Sequence, residues 1–339
     1  MIVKGDVINI VFCCDDRFAG PLQVAAMSAA VSTSSNVAIY VVDCGISPEN
    51  KNTLQTWKGK FGNVTNVIFR KPPREKIFDA FPIAFHFSPA VFYRLAISRT
   101  FPELKRAIYM DCDVIIVDDI DLLWSVDLGE HPFGAVNEET NFFSSQDMVQ
   151  RKAKVGIPPE RTYMLSGVLL IDCKRFEEAK IFEKVLQFIS GCKKLLPCPE
   201  QDAMNICLSP DEHLSLGPKF NFTPFAPLAC RCLKNIKRPV IVHYSCYKPW
   251  NFNKKLVHTL CKLRLLRHSF RFIKEYWSYS DRVDEHTFSS SSTKQTWRFV
   301  YKRLFGGIEY FVAKKIRNGL IRLWRNRHGR EKWTIKKSY

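Results

Sequence analysis

An α/β fold with a mainly parallel central sheet is what this 339-residue sequence predicts. Three observations carry that expectation. Short apolar runs recur early in the chain, at Val7–Phe12, Val37–Asp43, Asn66–Phe69 and Ala107–Asp111. Helix-like segments separate them, so strand and helix alternate. Acids close the runs: Asp15, Asp43 and Asp111 fall at or just beyond their carboxyl ends, where such sheets bind ligands.

Taken in order, the stretch PLQVAAMSAA after the first run is rich in Ala and Met and reads as a helix. After the second run, Ser47 is placed to cap a helix, Pro48 suits its first position and Gly62 its stop. Further strands are expected at Phe133–Val136, Gly167–Asp172 and Pro239–Tyr244, with an amphipathic helix over Lys174–Phe188. Asp118, Asp119 and Asp121 precede LLW and read as helix caps. No internal repeat is present. His286–Thr296 reads as a Ser/Thr-rich linker. The expected organisation is a main domain over 1–285, a linker over 286–296 and a tail over 297–339.

The chain carries 51 Lys+Arg against 33 Asp+Glu, a formal net charge of +18, which implies an anionic partner. Much of the excess is in the tail. From Lys294 onward there are fourteen Lys+Arg and two acids, Glu309 and Glu331. Trp297, Tyr301, Leu304, Ile308, Phe311, Ile316, Leu320 and Trp324 recur at spacings near a helical turn, giving one apolar, aromatic face among basic residues. Such a tail suits an anionic lipid surface. No recognition motif accompanies the basic residues, so nucleic acid is not expected. No run is long enough to span a bilayer, and the amino terminus lacks a signal-peptide pattern, so a cytoplasmic location is expected. The twelve cysteines include no paired CxxC elements, which argues against zinc.

The chemistry centres on RAIYMDCDVIIVDDID, Arg106–Asp121. Asp111 and Asp113 stand two apart at the end of an apolar run, where both carboxylates can reach one ion. Hard divalent cations such as Mg²⁺ and Mn²⁺ take such oxygens and bridge them to phosphates. Much further on, VIVHYSCYKPWN places His243 at a strand end and Lys248 in the loop beyond. Imidazole suits Mn²⁺ as a third ligand, and a lysine suits a phosphate oxygen. GxxxxGK[ST] and GxGxxG are both absent, which removes the usual P-loop and dinucleotide readings.

In order, IVFCCDDRFA, VDCGIS, YRLAI, YMDCDVII, LLWSVDLGEHPFGAV, SGVLLID, EQDAMN, FNF and HYSCYKPW make the sequence resemble glycosyltransferase family 8 over about Val7–Asn251. Within it, the chain is most similar to bacterial lipopolysaccharide core hexosyltransferases. The resemblance implies a GT-A type nucleotide-diphospho-sugar transferase fold and retaining transfer of galactose or glucose from UDP-galactose or UDP-glucose. It implies Mn²⁺, with Mg²⁺ as the alternative. It also implies a lipid-linked core oligosaccharide acceptor, and a basic aromatic tail attached to the cytoplasmic face of the inner membrane.

Carried over by position, Asp111, Asp113 and His243 match the metal ligands. Asp15 matches the acid on the uracil base, Arg94 a donor-site arginine, and Lys248 the diphosphate lysine. Gln201 matches the glutamine close to the anomeric carbon; Asp202 holds sugar hydroxyls or orients its neighbours. Three positions depart from the family: Leu165 stands where Asn is usual, Cys246 where Gly is, and Arg17 where a neutral polar residue is. The competing readings are a glycogenin-like or other glycan hexosyltransferase, a Mg²⁺-dependent nucleotidyl- or phosphotransferase, and a non-catalytic basic binder.

Overall fold

Val37–Asp43 is buried at all positions, as a continuous apolar run in the middle of a parallel sheet should be. The computed structural model describes residues 7–73, 89–138, 145–192, 195–224, 236, 238–245, 248–254, 256–258 and 267–283. The expected linker and the basic aromatic tail lie outside the described residues. The chain divides into two compact units, Met1–Pro249 with Arg271–Ser289, and Trp250–Phe270 with Ser290–Tyr339. The fold and site below belong to the first.

Its strands are β1 (Ile8–Cys14), β2 (Val37–Asp43), β3 (Val64–Arg70), β4 (Arg106–Met110), β5 (Val114–Ile116), β6 (Phe133–Asn137), β7 (Met164–Asp172), β8 (His213–Leu216) and β9 (Ile241–His243). Seven of them form one sheet in the order β3-β2-β1-β4-β7-β6-β8, and β5 pairs with β9 in a second ladder. β1 runs parallel to both β2 and β4, β2 to β3, and β6 to β8; only β7 is antiparallel to its neighbours β4 and β6 in that sheet. The sheet is therefore mainly parallel, as expected, with one reversed strand. The strand order turns back at β1, so the crevice beyond β1 and β4 is the switch point where open α/β sheets bind ligands.

Helix α1 (Ala19–Val31) is buried from Ala19 to Ala30; its small side chains let it lie close against the sheet. Helix α2 (Pro48–Gln55) starts as read: Ser47 Oγ accepts from the Asn50 N–H at 3.4 Å and Pro48 is the first helical residue. Downstream come α3 (Ser145–Val155), α4 (Cys173–Glu178), α5 (Ile181–Gly191) and α6 (Pro199–Cys207). The single helix expected over Lys174–Phe188 is thus two. Lys180 takes a left-handed backbone at φ 54° and separates them. Arg99 bridges the break, binding Glu177 at 3.3 Å and also Glu183.

Not every acid at a strand end faces the crevice. Asp43 Oδ1 accepts the N–H groups of Gly45 and Ile46 at 3.0 and 2.9 Å, and its other oxygen pairs with Lys51 at 2.5 Å. It stabilises its own turn. Asp119 Oδ1 accepts the Asp121 N–H at 3.1 Å in the turn before the short helix Asp121–Trp124, but the N-cap position is Ile120 and no side chain caps it, so the expectation that Asp118, Asp119 or Asp121 is the N-cap is not met.

Candidate active site

Asp111, Cys112 and Asp113 form the turn between β4 and β5, so the two aspartates do not share one strand as the spacing suggested. β4 ends at Met110 and β5 begins at Val114. The turn is held from two sides. Asp111 N–H donates to the Gly167 carbonyl at 2.9 Å, and Tyr244 N–H to the Asp113 carbonyl at 2.9 Å. The β5–β9 ladder then pairs Val114 with His243 and brings an imidazole from 130 residues away to the turn.

Asp111, Asp113 and His243 each offer a ligand atom within 4.8 Å of the others. His243 Nε2 lies 3.6 Å from Asp111 Oδ2 and 3.3 Å from Asp113 Oδ1. Its Nδ1 lies 2.9 Å from Asn221 Oδ1. In the tautomer that donates Nδ1–H to Asn221 Oδ1, the Nε2 lone pair faces the carboxylates, the arrangement a metal-binding imidazole needs. Two carboxylates and one imidazole suit Mn²⁺ or Mg²⁺. The fit extends to the backbone: a Cβ on Gly167 would stand 2.2 Å from His243 Cε1 and 2.9 Å from Asp111 Oδ2. Only glycine leaves room for the cluster there.

Two cations border the cluster. Lys248 Nζ donates to Asp113 Oδ2 and, at 3.0 Å, to the Tyr244 carbonyl. Burial works to raise the Asp113 carboxyl, but Lys248 and His243 outweigh it and hold that group well below the usual carboxylate range. Arg94 is buried, on the one-sided turn Pro89–Ala96. It pairs with Asp111 at 2.9 Å and Glu200 at 3.4 Å, and donates to the Ser166 carbonyl at 2.9 Å. Its guanidinium also lies over the Tyr109 ring, 4.8 Å from the centroid. Burial alone would lower its pKa; Asp111 and Glu200 reverse that and raise it. Glu200 is shifted up, chiefly by burial and against the pull of Arg94.

These groups line one cavity of about 470 Å³, with Asp15, Gln201 and Cys13 also on its wall. Asp15, just past β1, receives a two-pronged contact on Oδ2 from Arg17, at 2.7 and 3.1 Å. Its Oδ1 is buried without a protein partner. Gln201, in the first turn of α6, accepts from the Ser166 N–H at 3.0 Å. Asp202 is fully buried, and its oxygens take the Tyr163 hydroxyl and, at 2.8 Å, the Cys198 N–H. It is not on the cavity wall, and its geometry fits the orienting role rather than contact with sugar hydroxyls.

The cavity thus gathers Asp15, Arg94, the Asp111–Asp113 turn, Gln201, His243 and Lys248 from six places in the chain. Sequence reasoning did not single out Asn221, Gly167, Ser166 or Tyr163. Asn221 and Gly167 lie inside the motifs FNF and SGVLLID, which was the available signal. Among the described residues, no helix is long and apolar enough to cross a membrane.

Residues 9–254 match the sequence model of Glycosyl transferase family 8. General stress protein A of Bacillus subtilis (strain 168) is 27% identical over 269 residues, covering 74% of this chain and 90% of that protein. Lipopolysaccharide 1,2-glucosyltransferase of Escherichia coli (strain K12) is 30% identical over 176 residues, 48% of this chain and 50% of that protein. The crystal structure of galactosyltransferase LgtC with donor and acceptor sugar analogues shares the fold, with a TM-score of 0.61 at 23% identity, covering 86% of this chain and all (100%) of that one. The GT-A-like architecture with a mostly parallel sheet is therefore common to both.

Proposed function

This chain belongs to glycosyl transferase family 8 and is a glycosyltransferase, and from that premise we propose that it transfers a hexose from UDP-galactose or UDP-glucose to a sugar hydroxyl of a lipopolysaccharide core acceptor. The observation that carries the donor half is the Asp111–Asp113–His243 cluster, flanked by Lys248 and Arg94, on a cavity at the sheet's switch point. The acceptor half rests on the similarity to a lipopolysaccharide glucosyltransferase over half of that protein's length.

In this reading Asp111, Asp113 and His243 hold the divalent ion, Mn²⁺ rather than Mg²⁺ because an imidazole is in the set. When bound, the ion supplies positive charge and Lewis acidity to the diphosphate. Asp15 turns its unpartnered Oδ1 to the N–H of the uracil ring. Lys248 leaves Asp113 for a diphosphate oxygen, adding charge where the leaving group becomes most negative. Arg94 stays fixed by Asp111, Glu200 and the Ser166 carbonyl, and presents its charge beside the donor. UDP leaves without needing a proton from a general acid. Gln201 is the side chain assigned beside the anomeric carbon, and a carboxamide is a poor nucleophile. Asp202 is sequestered behind it. Front-face substitution therefore fits better than a glycosyl-enzyme, with the departing phosphate oxygen taking the acceptor's proton and configuration retained. The tail over 297–339, basic and aromatic, docks the enzyme on the anionic cytoplasmic face of the inner membrane where a lipid-linked acceptor lies.

Mass spectrometry of a truncated core oligosaccharide, incubated with the protein, Mn²⁺ and each UDP-hexose in turn, tests this. The expected result is one added hexose from one of the two donors. Transfer to glycogen-like glucans instead would favour the glycogenin-like alternative. Absence of transfer from a wide nucleotide-sugar panel would favour the non-catalytic one.

A further inference from the structure

Gln201 hydrogen-bonds in a pattern that fixes which way its carboxamide faces. The Ser166 backbone N–H, 3.0 Å away, can only donate, so the atom meeting it is Oε1. Nε2 then donates to Tyr163 Oη at 3.1 Å. That hydroxyl has one proton and gives it to Asp202 Oδ1, a carboxylate that can only accept. Tyr163 Oη is left to accept, from Gln201 and from Arg151 Nη2 at 3.2 Å.

The rest of the network leaves little freedom. Asp202 Oδ2 is taken by the Cys198 N–H at 2.8 Å. Arg151 lies over the Tyr163 ring, 4.8 Å from its centroid, and binds Glu138 at 3.4 Å. Asn205 donates to the backbone carbonyls of Gln201 and Met164 at 2.8 and 2.9 Å, pinning α6 to β7. Tyr163 and Asp202 are fully buried, while Gln201 reaches the cavity wall. Turning the carboxamide over would set an N–H against the Ser166 N–H and two oxygens against each other at Tyr163. The turned form loses both hydrogen bonds, and in a buried network that is costly.

We propose that Tyr163 is a positioning residue for the transfer, setting Gln201 so that it offers an N–H, and not its carbonyl oxygen, to the bound donor. The partner of that N–H is an oxygen of the hexosyl phosphate. Gln201 thus acts as a hydrogen-bond donor beside the anomeric centre, which removes its carbonyl as a nucleophile. The inference rests on the UDP-hexose reading above.

The test measures UDP release from the working donor, and UDP affinity by calorimetry, for the full-length wild type, Tyr163→Phe and Gln201→Glu. Tyr163→Phe removes the bond on Nε2 and leaves the carboxamide held only through Oε1 by Ser166, so Nε2 can swing out of line, and kcat is expected to fall about 10²-fold, the cost of a misplaced group at the reacting centre. Donor KM and UDP affinity should stay within about threefold, which a general loss of structure would not allow. Gln201→Glu keeps the shape and an acceptor for the Ser166 N–H but has no N–H to give, so its kcat should fall at least as far. If Tyr163→Phe does not fold, the Gln201→Glu result decides. Wild-type kcat in Tyr163→Phe, a loss confined to KM, or near wild-type kcat in Gln201→Glu each overturns the proposal while the donor reading stands. A wild type that binds UDP yet releases none from any UDP-hexose overturns the parent reading and this one together.

Discussion

Substituting alanine at Gly167 would disable the metal cluster without removing any ligand. The added Cβ would sit 2.2 Å from His243 Cε1, 2.7 Å from Nδ1 and 2.9 Å from Asp111 Oδ2. Ordinary contact between carbons is about 3.5 Å or more, so the imidazole has to retreat by roughly 1 Å. It has nowhere soft to go. Nδ1 is held by Asn221 at 2.9 Å, and the backbone N–H by the Phe222 carbonyl at 2.8 Å. Metal sites tolerate displacements of only about 0.2 Å in their ligand distances. Mn²⁺ affinity is therefore expected to fall by about 10–100-fold, the range seen when a ligand's supporting partner is lost. Overpacking should cost about 1–3 kcal/mol of stability, which leaves the domain folded. Calorimetric Mn²⁺ titration alongside a thermal melt reads both quantities. A folded Gly167→Ala protein that binds Mn²⁺ as tightly as wild type would refute the reasoning and remove His243 from the ligand set.

Asn221→Leu should also weaken Mn²⁺ binding by about 10–100-fold, because Nδ1 loses the partner that fixes its tautomer; the same titration reads it. Lys248→Met should do the opposite to Mn²⁺ in the absence of nucleotide. It removes a cation seated on Asp113; unit charges 4 Å apart are worth about 1 kcal/mol in water and about 4 kcal/mol near a protein surface, so a gain between about 5-fold and about 10³-fold is expected, with UDP affinity lowered in the same protein. Burial pushes the imidazole of His213 down to about 4 from 6.5. The unfolded chain then takes up the proton first, so stability should fall by about 3 kcal/mol as pH drops from 6.5 to 4; denaturant melts of wild type and His213→Gln across that window should show a shallower slope in the variant. Removal of residues 297–339 should abolish co-sedimentation with anionic vesicles and leave UDP release from soluble substrates unchanged.

Much of the sheet can be read from the chain, because a strand buried on both faces is a continuous apolar run. Val37–Asp43 is that case, and its bounds agree with the reading. The reversed direction of β7 is not legible, since GVLLID has the same apolar character whichever way it runs. The break at Lys180 escaped for a related reason: no Gly or Pro marks it, and its left-handed backbone is stabilised by long-range contacts such as those of Arg99 with both helices. In the site, charged residues with strong chemistry stood out: Asp111, Asp113, His243 and Lys248 converge as expected. Asp43 shows the limit of that logic, because an acid at a strand end serves a turn as readily as a ligand. Neutral residues were harder. Asn221, Ser166 and Tyr163 matter through what they hydrogen-bond across 22 to 39 positions of sequence, and no local pattern encodes such a partner. Gly167 matters through the space it leaves, which becomes visible only when His243 is in place.

The most direct test of the central claim, that Asp111, Asp113 and His243 hold the divalent ion on which UDP-sugar cleavage depends, is UDP release with and without chelator for wild type and Asp113→Asn. Both UDP-glucose and UDP-galactose belong in it, with truncated lipopolysaccharide core as acceptor. The account predicts release by wild type that chelator abolishes and added Mn²⁺ restores. It predicts a fall of about 10²-fold or more in the folded variant. Release that persists in chelator, and is undiminished in Asp113→Asn, would contradict it.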